Sequence, residues 1–152
     1  PVAPALQGLP LTKPPYSRVT AIDLNTGDTL WSTPNGDGPI NHPLLKDLGL
    51  KNLGQLSSGL GGGGPLLTKS LLFVTRQAAY LGTDADKTPH ISVFDKRSGE
   101  MLGTIPLPAD PYGNPISYEF NGKQYISVAC GGGGFMGGGG KYRAEIITLA
   151  LP

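Results

Sequence analysis

The chain has 152 residues, enough for one domain with a hydrophobic core. It is 38% hydrophobic and 15% charged, carries a formal net charge of +1, and contains 24 glycines and 15 prolines. Typical soluble domains are about 25% charged, and near-zero net charge offers no electrostatic footprint for nucleic acid or an anionic membrane.

Residues 1–15 hold five prolines and predict an extended arm. A hairpin follows, with one strand over 17–23, a turn at Asn25-Thr26-Gly27, and a returning strand over 28–33 that carries Trp31. Residues 34–64 predict a long irregular connection with at most a turn of helix near 44–48, ending in the glycine run 61–64. Strands over 65–68 and 71–75 make a second hairpin around Lys69-Ser70. A third joins 91–95 to 100–107 through Lys96-Arg97-Ser98-Gly99. The fourth joins 115–120 to 124–129 through Asn121-Gly122, the strongest hairpin dipeptide in the chain. A last strand over 144–151 follows the glycine-rich segment 131–140, so the expectation is nine short strands and no long helix.

No apolar run approaches the roughly 20 residues that cross a bilayer as a helix. Residues 1–15 have neither the basic start nor the apolar run of a signal peptide, which leaves the compartment open. Cys130 stands alone, so an internal disulfide or a four-thiolate metal site is excluded. It reads as a small buried thiol.

The chain repeats itself. Residues 21–31 and 93–103, offset by 72 positions, each place an aspartate four residues before a glycine, with Thr or Ser ahead of that glycine and an acidic residue after it. The spacing has a physical reason. Asp23 or Asp95, closing a strand, accepts backbone N–H groups from the turn ahead, while Gly27 or Gly99 turns the chain back. Four residues later comes Trp31 in the first copy, placed to bury its ring between neighbouring sheets, and Gly103 in the second.

The pattern Ala-x-Asp-x-x-Thr-Gly-x-x-x-Trp at residues 21–31 resembles the tryptophan docking motif of pyrroloquinoline quinone (PQQ)-dependent dehydrogenase propellers. Residues 13–20, 63–68, 71–73, 121–126 and the stretch from Cys130 to the end are similar to the membrane-bound glucose dehydrogenase branch of those quinoproteins. The resemblance implies an all-β partial β-propeller, the last blades of an eight-bladed ring of antiparallel four-stranded sheets. On that reading 1–152 is one incomplete propeller domain: an arm at 1–16, an outer half-blade at 17–33, a long loop at 34–64, a complete blade at 65–107 and three strands of a closing blade at 115–151. It further implies PQQ and calcium in a complete parent, oxidation of a sugar, polyol or alcohol, and electron transfer to a quinone acceptor. The location implied is periplasmic or extracytoplasmic, with membrane association through other parts of the parent. Partners are the remaining blades, and exposed strand edges allow a homo-oligomer.

No catalytic or metal-ligating residue is assigned, because the family's base and calcium ligands lie upstream of the matched region. Asp84 and Asp86 near His90 lack the other oxygen ligands of a calcium loop and read as solvated. His42 reads as an ordinary hydrogen-bonded histidine. Neither glycine run is a phosphate loop: Thr68 stands where glycine must precede lysine, and Tyr142 follows Lys141 where a hydroxyl ligand is required. The cofactor-facing candidates are Gly63 and Gly64 before Pro65, Asn114 before Pro115, and Gly132 with Gly133 in the last glycine segment. Gly133 takes the place of a histidine in the glucose-oxidising branch, a departure that bears on substrate. The rival reading is a propeller fragment acting as a binding or scaffold module without activity.

Overall fold

The computed structural model describes residues 7–55, 63–78, 88–131 and 144–150. Among them are nine strands: β1 (Arg18–Ile22), β2 (Thr29–Pro34), β3 (Pro65–Leu67), β4 (Leu71–Arg76), β5 (His90–Asp95), β6 (Met101–Pro106), β7 (Ile116–Phe120), β8 (Lys123–Cys130) and β9 (Glu145–Ala150). Each lies within one or two residues of its expected bounds. Among the described residues of the long connection the helical content is a single 3-10 turn, Lys46–Leu48, stopped by Gly49 at φ +63°. The strands form three antiparallel sheets, β1-β2, β3-β4-β5-β6 and β7-β8-β9. Backbone contacts divide the chain into two units, residues 1–58 with 79–87, and residues 59–78 with 88–152.

The first unit holds the β1-β2 hairpin and residues 34–55 of the long connection. Those residues are tied together by backbone bonds. Leu53, Gly54 and Gln55 donate backbone bonds to Asp37, Gly36 and Asn35 at 2.9–3.1 Å, and Tyr16 donates to Leu53 at 2.7 Å. Gly54 sits so close to the Ser17 backbone that a Cβ there would collide with it. His42 is buried in this unit and fully bonded. Its Nδ1 accepts from the Leu44 amide at 3.2 Å, which leaves Nε2 to donate to the Gln7 carbonyl at 3.2 Å.

The second unit is two sheets face to face. Phe73 and Ile91 from the four-stranded sheet, with Leu107 and Ala109 beyond it, pack against Ile126, Val128 and Cys130 of β8. Alternation along the strands assigns the faces. On β8, Ile126 and Val128 turn inward, while Tyr125 lies opposite Tyr118 and stacks on it at 5.3 Å between ring centroids. The outer face of this third sheet is therefore apolar and open, with Ile116, Tyr118, Phe120 and Ile146 all exposed. Asn121 and Gly122 turn β7 into β8 at φ +51° and +72°, the doubly left-handed turn that this dipeptide favours.

Candidate functional site

Two features of the structure bear on function: the repeated Asp–Gly hairpin and the junction of the loops leading into β3 and β7. In the first hairpin the Asp23 carboxylate accepts the Asn25 amide at 2.8 Å, and Gly27 donates to the Asp23 carbonyl at 2.7 Å. In the second, Asp95 accepts the Arg97 and Ser98 amides at 2.8 Å each, and Gly99 donates to the Asp95 carbonyl at 2.9 Å. Thr26 and Ser98 each accept the amide two residues on at 3.2 Å. Both glycines are left-handed, at φ +79° and +72°. Both hairpins also slip register at the same place, between Ala21 and Ile22 and between Val93 and Phe94. The two segments fold as one motif twice.

These aspartates are turn-formers by geometry. The amides of Ser98 and then Arg97 hold the Asp95 carboxyl below its ordinary value of 3.8. Trp31, expected to be mostly covered, is half-buried. It stands opposite Ala21 in a sheet that has two strands among the described residues, with no inner strand there to add to its cover.

The junction lies in the second unit. The Gly64 amide donates to Asn114 Oδ1 at 2.6 Å, a bond spanning 50 residues of sequence. A Cβ on Gly64 would strike that same amide group, and one on Gly63 would strike the Gly113 carbonyl and the Thr75 hydroxyl. Glycine is required here because two backbones meet. Asn114 is exposed, and its Oδ1 is engaged by the Gly64 amide. The buried Thr75 Oγ1 beside Gly63 has no partner among the described residues. Asp110 fixes the approach to this junction by accepting the Ala78 amide at 2.7 Å through its carboxylate and the Gly131 amide at 2.9 Å through its carbonyl.

The structure thus brings Gly63, Gly64 and Asn114 together, whereas Gly132 and Gly133 lie outside the described residues. Asp84 and Asp86 also lie outside them. His90 is buried in β5, its Nδ1 donating to the Thr88 carbonyl at 2.8 Å. Among the described residues no three His, Cys, Asp or Glu side chains gather as a metal site. Cys130 is 1% exposed, and burial, with the Asp110 and Glu145 charges behind it, pushes its thiol up.

Residues 2–126 match the family described as the PQQ glucose/ethanol/alcohol dehydrogenase β-propeller domain. The chain belongs to this family. It is 31% identical over 146 residues to the glycerol dehydrogenase large subunit of Gluconobacter thailandicus, covering 95% of this chain and 18% of that one. It is 29% identical over 149 residues to the quinoprotein glucose dehydrogenase of Escherichia coli, with 95% and 17% covered. It is 32% identical over 130 residues to the quinate/shikimate dehydrogenase (quinone) of Acinetobacter baylyi, with 82% and 14% covered. The chain spans less than a fifth of the length of these relatives. The expected likeness to the glucose branch is supported at the level of the glucose/alcohol dehydrogenase branch of the quinoproteins. The glycines at this junction offer no cradle for a cofactor such as PQQ, because Asn114, Gly113 and Thr75 atoms already stand where their side chains would be.

Proposed function

We propose that this chain is a late portion of a PQQ-dependent dehydrogenase propeller that oxidises a sugar, polyol or alcohol and passes electrons to a quinone acceptor. The family match carries this reading, and the repeated hairpin supports it. The second hairpin forms strands three and four of a four-stranded sheet, so β1 and β2 correspond to the outer half of a preceding blade. Residues 65–107 then make one whole blade, and residues 115–151 contribute three strands of the next. The open apolar face of the β7-β8-β9 sheet is the surface a further blade would cover. These sheets would together form one incomplete propeller domain, with 1–16 as an arm and 34–64 as a loop.

In the complete ring, Asn114 Nδ2 would donate to a carboxylate or carbonyl oxygen of PQQ, with Gly63 and Gly64 setting how near the wall stands. Gly132 and Gly133 would border the same channel. PQQ, when bound with calcium, supplies the two-electron acceptor; this chain's part is to bind, orient and exclude water. Location outside the cytoplasm follows from the family resemblance.

The isolated chain should show no glucose-, glycerol- or quinate-dependent reduction of an artificial acceptor with added PQQ and calcium, because base, metal ligands and pocket must be held together. Turnover above the protein-free control would contradict this. In a complete quinoprotein carrying these residues, Asn114→Ala should weaken PQQ binding. If affinity is unchanged, the cofactor-facing assignment of Asn114 fails and the scaffold reading of this region gains.

A further inference from the structure

The two Asp–Gly hairpins agree in turn bonds, glycine conformation and register, yet differ four residues beyond the glycine. Trp31 fills that position in the first. In the second, Gly103 leaves it empty, and a Cβ there would meet nothing within 4 Å. Gly103 lies opposite Val93, and Val93 opposite Phe73, so all three share one row across the sheet. Alternation puts Ile105 on the same face of β6. That face is turned toward the β7-β8-β9 sheet, since Phe73, Val93 and Ile105 all join the shared core.

Between the two sheets on this face is a cavity of about 300 Å³, walled by Leu71, Phe73, Ile105, Ile126 and Leu149, with Lys69 in its lining. We propose that it is a binding site for a small aromatic carboxylate, whose flat ring takes the space an indole at position 103 would occupy and whose anion meets Lys69. The volume is at the lower end for ligand sites, about 300–1,000 Å³, which suits one or two fused rings. The walls are apolar, and the lining contains no acidic residue. Its other polar groups are largely engaged. The Thr68 hydroxyl donates to the Leu71 carbonyl and accepts the Leu71 amide, and Gln124 Nε2 donates to Ser117. Lys69, exposed on the bend between β3 and β4, is the charge that sets ligand sign.

The test titrates 2-naphthoate, 2-naphthylmethanol and 2-naphthylmethylammonium into the 152-residue chain by calorimetry. Saturable one-to-one binding is expected, with the carboxylate favoured over the alcohol about three- to fivefold, as an exposed cation allows. Gly103→Trp should weaken all three probes at least about tenfold while the melting temperature holds or rises. Lys69→Glu should invert the order of the two charged probes and leave the alcohol unchanged. Because Lys69 is exposed on a turn, that variant decides the matter even if the tryptophan is not accommodated. Absence of saturable naphthoate binding to the native chain, or an unchanged charge preference in Lys69→Glu, overturns the proposal.

Discussion

The hairpins at 21–31 and 93–103 have the same turn and different surroundings. Ile22 and Phe94 occupy equivalent places just before the aspartate, yet Ile22 is 52% exposed and Phe94 is 0% exposed. The difference is in neighbours: among the described residues β5 has a strand on each side, whereas β1 pairs with β2 alone. Turn geometry is therefore set by a few adjacent residues, while burial is set by strands far away in sequence. The motif is local, and its stability is not.

The largest effect should separate the two copies. Phe94→Ala is expected to cost about 3–5 kcal/mol, as for a fully enclosed aromatic, while Ile22→Ala at an exposed site costs about 0.5 kcal/mol. Equilibrium unfolding in urea measures both, and equal losses would erase the contrast. Trp31→Ala should fall between them at about 2 kcal/mol, because a half-covered ring loses less than an enclosed one. Next, Gly27→Ala and Gly99→Ala should each lose about 1–2 kcal/mol, the cost of a left-handed L-residue. Here the two copies should agree, and a Gly99 effect several times larger would show that the turn is not local.

The smallest effect is a pH dependence. The Asp95 carboxyl is held below 3.8 by the Ser98 and Arg97 amides. A lowered native pKa means its contribution is complete above 3.8 and is lost as pH falls through the native value. Asp95→Asn should therefore flatten the acid limb of the stability profile below that point. An identical acid limb in the variant would contradict the assigned bonds.

Much of this architecture was legible because its signals are short-range. Asn121-Gly122, Asp23 with Gly27 and Asp95 with Gly99 each specify a turn within five residues, and the strands follow between turns. What escaped is what depends on packing. Thr75, Arg76, His90 and Ser92 are all buried polar residues on β4 and β5, the two central strands of the four-stranded sheet. A half-buried strand pattern gives no hint that both faces will be covered. The bond from Gly64 to Asn114 was likewise invisible, since nothing in either dipeptide marks a partner 50 residues away. Grouping those residues as one site came from the two prolines that follow them, and the physical reason for the glycines proved to be backbone contact.

The central claim is that these sheets are blades of a quinoprotein ring, with the β3 and β7 lead-in loops turned toward the cofactor. A structure of a complete quinoprotein containing these residues, with PQQ bound, tests it most directly. The account predicts Gly64 and Asn114 on the quinone side of the propeller, Asn114 Nδ2 within hydrogen-bond reach of a PQQ oxygen, and the Ile116, Tyr118 and Phe120 face covered by another blade. A junction at the opposite end of the ring from PQQ, or a sheet face still open in the complete protein, would contradict it.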